Sequence, residues 1–281
     1  MKVIADQQIP YLNHFLSVMK IEKIIPVDRF TPENIQRAKA NVLFVRSVTQ
    51  VNAELLKHSS VQFIASASAG INHLDIDYLK QAQIAWAYAP GCNAQAVADY
   101  VLLVIAALVH TKSINPVSLT AGVIGLGHVG QRVFELLKKL KIQVIANDPP
   151  RAQRGPHFKS IPLQQFKNLD IICLHTPLTT TGDFPTYHLL TQPWLSQLKK
   201  GCLLLNAGRG AVIDTAALKQ ATHLKTVLDV WENEPNIDLE LLASTWIATP
   251  HVAGYSQLAK FKATQMIVQA YCQHFNLSFT P

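Results

Sequence analysis

Short apolar runs alternate with amphipathic stretches along the whole chain, and their periods predict alternating strands and helices. Lys2–Ala5, Lys23–Val27, Asn41–Val45, Val61–Ala65 and Ile84–Tyr88 are apolar enough to be strands covered on both faces. Between them, Ile9–Met19 has helical spacing with Pro10 tolerated near its start, and Thr31 caps a helix that begins at Pro32. Asn52 is expected to open another helix, and a further one falls around Asp75–Gln81. Pro90-Gly91 interrupts the alternation. Asn93 then caps a long helix, Ala94–His110, apolar on most sides and therefore expected to be buried as the connector between two domains.

A second alternating series follows. Val123-Ile124 ends a strand, Gln131–Leu140 reads as a helix, and Ile142–Asn147 as the next strand. Later strands are expected at Leu169–Leu174, Cys202–Asn206, Thr226–Val230 and Trp246–Ala248, with helices at Leu195–Lys199 and Thr215–Ala221. Residues 149–156 read as an exposed loop, and Gln257–Phe275 as a last helix that crosses back to the first domain. This order predicts an α/β protein of two doubly wound parallel-sheet domains. One comprises residues 1–93 plus 257–281, the other residues 94–256, with a cleft between them.

Composition narrows the partners. The chain has 281 residues, 49% of them hydrophobic, and a formal charge of +7, which suits an anionic small molecule. Nucleic acid is disfavoured because the basic residues are scattered rather than clustered. Cys92, Cys173, Cys202 and Cys272 form neither a C-x-x-C pair nor a metal spacing, so no metal is expected and the thiols read as reduced, in a cytoplasmic protein. The N-terminus reads as a strand rather than a signal peptide, and the apolar run Val101–Val109 is too short to span a membrane.

Candidate chemistry begins at Gly122-Val123-Ile124-Gly125-Leu126-Gly127-His128-Val129-Gly130. After a strand, Gly125 permits a tight turn, Gly127 lets the backbone approach a pyrophosphate, and Gly130 lets helix pack on strand. The helix beyond would aim its N–H groups at the phosphates. Asp148 lies about 18 residues past the last glycine, where a carboxylate can bind an adenosine ribose and repel a 2'-phosphate. NAD is the expected cofactor. Arg151 and Arg154 stand nearby and leave NADP as an alternative.

Three later strand ends are polar: Asn206-Ala207-Gly208-Arg209-Gly210, Asp229 to Pro235, and Thr249-Pro250-His251-Val252-Ala253-Gly254-Tyr255. Ligands in open α/β sheets bind beyond the carboxyl ends of strands. Oxidising a 2-hydroxy acid needs a base for the hydroxyl proton, a cation for the carboxylate and a hydride acceptor. His251 suits the base, Glu234 can orient it, and Arg209 offers a planar fork to a carboxylate. Each residue alone has a bland reading, a packed histidine or a surface ion pair. Cys173 and Cys202 read as strand packing.

The glycine turn, N-A-G-R-G, L-D-V-W-E-x-E-P and T-P-H-x-A-G together resemble the D-isomer-specific 2-hydroxyacid dehydrogenases. That resemblance implies a flavodoxin-like substrate domain and a Rossmann NAD-binding domain, with Arg209, Glu234 and His251 catalytic. It also implies cofactor contacts from Gly125, Gly127, His128, Val129, Gly130, Asp148, Thr176, Ala207, Gly208, Arg209, Asp229 and Gly254. A second set, Val45 to Thr49, Ser68-Ala69-Gly70, Pro90 to Ala94, Asp148 to Arg151 and His251 to Tyr255, resembles a member acting on a 4-phosphorylated four-carbon 2-hydroxy acid. It implies substrate contacts from Ser47, Ser68, Gly70 and Tyr255. Arg46 is either a phosphate partner or half of an ion pair. Such members continue for roughly another hundred residues, through which they dimerise. This sequence stops at Pro281, so a homodimer made that way is an open expectation. Two alternatives stay open: a sister enzyme reducing glyoxylate, hydroxypyruvate or 3-phosphohydroxypyruvate, and an NAD(H)-sensing binding protein without turnover.

Overall fold

The computed structural model describes residues 1–18, 24–111 and 118–279. The expected end of the first helix at Met19 and the start of the second strand at Lys23 lie outside the described residues. The chain divides into two compact units, Met1–Asn93 with Tyr255–Pro281, and Ala94–Gly254. The chain thus returns to the first unit at Tyr255, two residues before the expected position.

The first unit contains β1 (Val3–Asp6), α1 (Leu12–Val18), β2 (Ile24–Val27), α2 (Pro32–Ala38), β3 (Val42–Val45), β4 (Phe63–Ser66), α3 (Ile76–Gln81) and β5 (Ala85–Tyr88). Its strands form one parallel sheet in the order β2-β1-β3-β4-β5. Alternate residues feed two cores. Val3, Ala5, Val42, Phe44, Phe63 and Ala65 pack on one face, and Ile4, Leu43, Val45 and Ile64 on the other. Continuous apolar strands are what a doubly covered parallel sheet requires.

The second unit contains α4 (Ala94–His110), β6 (Thr120–Ile124), α5 (His128–Lys139), β7 (Gln143–Asn147), α6 (Pro149–Gln153), β8 (Ile171–Leu174), α7 (Gln192–Leu195), β9 (Leu203–Asn206), α8 (Thr215–Gln220), β10 (Lys225–Leu228), α9 (Leu239–Ser244) and β11 (Ile247–Ala248). The parallel strand order is β11-β10-β9-β8-β6-β7. The order reverses at β6 and β8, so the ligand crevice of such a sheet lies beyond their carboxyl ends. The last helix, α10 (Gln257–His274), belongs to the first unit.

Several expectations are corrected. Residues after Asn52 make a capped turn, not a helix. Asn52 Oδ1 accepts from Leu55 N–H at 3.0 Å, but His58 at φ +56° closes the turn before a helix propagates. Residues 149–156 are not all loop, because Asp148 caps Arg151 N–H at 2.8 Å and Pro149 starts α6. Tyr11, at φ +62°, delays α1 to Leu12. Thr191 and Pro193 start α7 earlier than expected, at Gln192. Helix α5 likewise starts earlier, at His128, because the glycine turn runs straight into it. Helix α4 is not buried all round. Ala98, Val101, Val104, Ile105 and Leu108 face the core shared with α5, whereas Leu103 is 69% exposed.

Tyr271 on α10 is buried against Phe44, Phe63 and Phe275, at ring-centroid distances of 5.5, 6.2 and 5.2 Å. Replacing it with alanine leaves a cavity that the fixed sheet cannot collapse into. Tyr271→Ala should therefore lose about 3–5 kcal/mol of stability in urea unfolding. A loss below about 1 kcal/mol would show that α10 is not integral to this core.

Candidate active site

The glycine turn sits where the sheet order reverses. Gly125 has φ +86°, which favours glycine, and a Cβ there would lie 2.8 Å from Thr176 Cγ2. A Cβ at Gly130 would lie 1.8 Å from the Gly125 carbonyl oxygen, so α5 packs this closely on the turn only with glycine. At Gly127 a Cβ would meet nothing within 4 Å, which leaves the backbone open to a ligand. Gly127 and His128 are exposed at the N-terminus of α5, with Val129 half-buried beside them.

The turn is braced from β7. Asp148 Oδ2 accepts from Leu126 N–H at 2.7 Å, and Arg151 Nη1 donates to Leu126 O at 2.7 Å and to Gln131 Oε1 at 2.8 Å. Arg151 is thus committed to the protein, and Arg154 Nε donates to Pro150 O. Each Asp148 oxygen keeps a lone pair for a ribose hydroxyl. Beside the turn, His175 Nδ1 and Nε2 and Thr176 Oγ1 are buried with no hydrogen-bond partner. Orphaned polar atoms at a glycine turn suit a polar ligand. With open backbone at Gly127 and a half-satisfied Asp148, these residues fit a dinucleotide.

The next strand ends carry the candidate chemistry. Asn206 is buried and shapes the turn after β9, accepting from Gly208 N–H at 3.0 Å and donating to Arg209 O at 2.9 Å. Gly208 passes close to the end of β8; a Cβ there would lie 3.2 Å from Leu174 O and 3.0 Å from Thr176 O. Arg209 Nη1 donates to Gly208 O at 2.7 Å. Among the described residues, no carboxylate pairs with this guanidinium. Burial pushes its pKa down, and the charge of Glu234 partly opposes that. A half-buried, unpaired cation is an anion site.

Asp229, 1% exposed, holds the loop after β11. It accepts from Thr249 Oγ1 at 2.6 Å, Val252 N–H at 2.8 Å and Ala253 N–H at 2.9 Å. Tyr100 OH lies 2.9 Å from Thr249 Oγ1 and must donate, since the threonine proton goes to Asp229. One lone pair on Asp229 Oδ2 remains for a ligand such as a carboxamide. The loop ends at Gly254.

His251 is held by its N–H on Asp229 O at 2.7 Å, with φ +57°, a strained conformation for a non-glycine residue. Its Nδ1 lies 2.9 Å from Glu234 Oε1. A carboxylate only accepts, so Nδ1 carries the proton and Nε2 presents a lone pair. The side chain is half exposed, so Nε2 can meet a substrate.

In the first unit, Arg46 follows β3 at that sheet's own reversal point. Its Nε donates to buried Asp6 at 2.8 Å, which makes it an ion-pair member whose terminal nitrogens remain for an anion. Ser47 is exposed. Ser68 Oγ donates to Gly70 O at 2.7 Å. Tyr255, 71% exposed, lies under Lys260 Nζ at 3.8 Å from the ring centre. A hydrogen bond with Lys260 and the charges of Lys260 and Arg46 push its phenol pKa down. His175 and Lys260 thus join the candidate residues. Neither has a sequence signal beyond standing beside Thr176 and within a turn and a half of Tyr255.

Residues 107–253 match the D-isomer specific 2-hydroxyacid dehydrogenase, NAD binding domain. The chain belongs to the D-isomer specific 2-hydroxyacid dehydrogenase family. Within it, the chain is 49% identical to the erythronate-4-phosphate dehydrogenase of Coxiella burnetii, over 99% of this chain and 76% of that protein. It is 41% identical to the Bacteroides fragilis protein of the same name, over 99% and 81%. Two solved structures share the fold. The D-lactate dehydrogenase of Aquifex aeolicus, complexed with NAD and lactic acid, has a TM-score of 0.74 at 23% identity, covering 98% and 96% of the two chains. The NAD+-bound 3-phosphoglycerate dehydrogenase of Entamoeba histolytica has a TM-score of 0.79 at 21% identity, over 98% and 95%.

Two outcomes follow from this geometry. General-base catalysis is typically worth about 10²–10⁴ in rate. His251→Ala should therefore lower kcat by roughly that factor while NADH binding, read by fluorescence, stays within about twofold. The Glu234→Gln, His251→Ala double variant should cost little more than His251→Ala alone, because the pair acts as a unit. Fully additive losses would break the assignment.

The second concerns acid. Burial pushes His175 down from 6.5 to about 3, so the folded protein keeps it neutral where the unfolded chain protonates it. The unfolded state then binds the extra proton, and stability falls as pH drops from the ordinary imidazole range toward that value. The slope is about 1.4 kcal/mol per pH unit for one such group. Urea unfolding at about pH 7 and pH 5 should show a smaller loss for His175→Gln than for the unaltered protein. Equal losses would mean that His175 is not buried as the neutral form.

Proposed function

We propose that this chain oxidises 4-phospho-D-erythronate to 2-oxo-3-hydroxy-4-phosphobutanoate with NAD, a step of pyridoxal 5'-phosphate biosynthesis. The observation that carries the reading is the His251–Glu234 pair beside an unpaired, half-buried Arg209, all at strand ends of an NAD-binding domain. The names and coverage of the relatives supply the substrate class.

In this reading, His251 Nε2 takes the C2 hydroxyl proton, and Glu234 holds the ring and stabilises the imidazolium that forms. Arg209 binds the substrate carboxylate and sets positive charge against the C2 oxygen. NAD, when bound, would supply the acceptor for the C2 hydride. Gly125, Gly127, His128, Val129, Gly130, Asp148, Thr176, Ala207, Gly208, Asp229 and Gly254 hold the dinucleotide. NAD is favoured over NADP because Arg151 is spent on Leu126 and Gln131. Arg46, Ser47, Ser68, Gly70 and Tyr255 bind substrate, with Lys260 adding charge beside Arg46 and Tyr255. Cytoplasmic location is part of the proposal, supported by four free, buried cysteines. Among the described residues, no helix is long and apolar enough to cross a membrane.

The test follows NADH fluorescence with 2-hydroxy acids, with and without a 4-phosphate. A charge-assisted bond is worth about 1.5–3 kcal/mol. The phosphorylated substrate should thus exceed its dephospho form by roughly ten- to a hundredfold in kcat/KM. That advantage should shrink in Arg46→Lys, which can pair with Asp6 or the phosphate but lacks the fork to serve both. Indifference to the phosphate would point instead to a sister dehydrogenase. NADH binding without turnover of any 2-hydroxy acid would point to a sensor.

A further inference from the structure

Strand β4 ends in a closed hydrogen-bond chain. His73 Nε2 lies 2.7 Å from Ser66 Oγ, Ser66 Oγ lies 2.9 Å from Ser68 Oγ, and Ser68 Oγ donates to Gly70 O at 2.7 Å. Ser66 is fully buried and His73 is 5% exposed, so water does not compete for these bonds. Only one assignment of protons satisfies all three contacts. Ser68 has a single hydroxyl proton, and Gly70 O takes it. Ser66 must then donate to Ser68. Ser66 has no second proton, so His73 must donate from Nε2–H. Every proton points the same way, ending on the Gly70 carbonyl, and Ser68 Oγ retains one lone pair and no donor.

This has a consequence for recognition. A phosphate dianion or a carboxylate offers only acceptors, and Ser68 cannot serve one without breaking the chain behind it. A substrate hydroxyl offers a donor. We propose that His73 and Ser66 are positioning residues that fix Ser68 as a hydrogen-bond acceptor, so that Ser68 recognises the 3-hydroxyl of the substrate rather than its phosphate or carboxylate. The proposal rests on the reading of this chain as a 2-hydroxyacid dehydrogenase acting on a 3-hydroxylated substrate. It adds that the substrate domain selects for that second hydroxyl, which the reaction leaves unchanged.

Pairs of substrates that differ only at C3 test it. One pair is 4-phospho-D-erythronate and D-2-hydroxy-4-phosphobutanoate; the other is D-glycerate and D-lactate. The unaltered protein should prefer the 3-hydroxylated member of each pair by about three- to tenfold in kcat/KM, the worth of one neutral hydrogen bond. Ser68→Ala should bring that ratio to about one, and Ser68→Thr should keep it. His73→Leu should shrink it and His73→Gln, which returns an N–H near the Nε2 position, should restore it. The ratio cancels any general loss of folding or activity. D-erythronate, without phosphate, should lose as much on Ser68→Ala as the phosphorylated substrate does. A Ser68→Ala loss that persists with the 3-deoxy members, or that vanishes for D-erythronate, would make Ser68 an anion donor and overturn the proposal. Calorimetric titration of D-glycerate and D-lactate into the NADH-loaded protein, which holds no hydride acceptor, reads the same preference without turnover, and equal affinities there would also overturn it. Should the phosphorylated pair not react while the glycerate–lactate ratio still depends on Ser68, the proposed substrate fails and this inference stands.

Discussion

Asp229 sits at the end of β10 with its carboxylate almost wholly out of water, and three donors from a single loop compensate that burial. Much of the second unit's chemistry depends on this arrangement. Two of the donors are the N–H groups of Val252 and Ala253, so the carboxylate holds the backbone directly after His251. A third, Thr249 Oγ1, brings in Tyr100 from α4. The Asp229 carbonyl takes His251 N–H, and Trp231 Nε1 ties Thr249 O to the adjacent loop at 3.0 Å. Held from all these points, His251 stays at a positive φ that a free loop would leave, and its ring stays in reach of Glu234. Removing the carboxylate would strand the buried Ala253 N–H, which costs more than the bond itself contributes.

Strand-end carboxylates fasten the other turns as well. Asp148 grips Leu126 N–H inside the glycine turn while it caps α6, and Arg151 grips the Leu126 carbonyl from the same helix. In the first unit, Asp6 at the end of β1 anchors Arg46 beyond β3. In each case an acidic residue does structural work through one set of lone pairs and leaves another atom, its own or its partner's, turned outward. This division leaves side chains that serve the fold with atoms still open to a ligand. It also explains why Arg151, close in sequence to Asp148, is a brace for the glycine turn.

The His73–Ser66–Ser68 chain and the Asp229 clamp belong to one class of device. Both fix an outward-facing group through partners that are themselves buried. In the first, a histidine fixes a serine as an acceptor; in the second, a carboxylate fixes the backbone that presents His251. Low exposure of Ser66, His73 and Asp229 keeps water from scrambling the proton assignments.

Periodicity and motif were enough for the large features. Apolar strands with no polar face could only lie in covered parallel sheets, and ordered glycine, arginine and histidine motifs at strand ends could only converge on the carboxyl side of such a sheet. Local chemistry was less legible. Whether Asn52 opens a helix depended on His58 adopting a left-handed conformation, and whether residues 149–156 form a loop depended on Asp148 being free to cap. The exposure of Leu103 on α4 was hidden because an apolar helix reads the same whether or not every face has a neighbour. Only the tertiary structure decided which polar residues were already spoken for. Arg46 is held by Asp6, Arg151 by Leu126 and Gln131, and His175, among the described residues, by no hydrogen-bond partner, and nothing in the chain marks the difference. Sequence sets the type and order of groups because backbone periodicity is local. Availability of a lone pair or a proton is set by partners far apart in the chain, Arg46 and Asp6 among them, and that information exists only once the strands are paired.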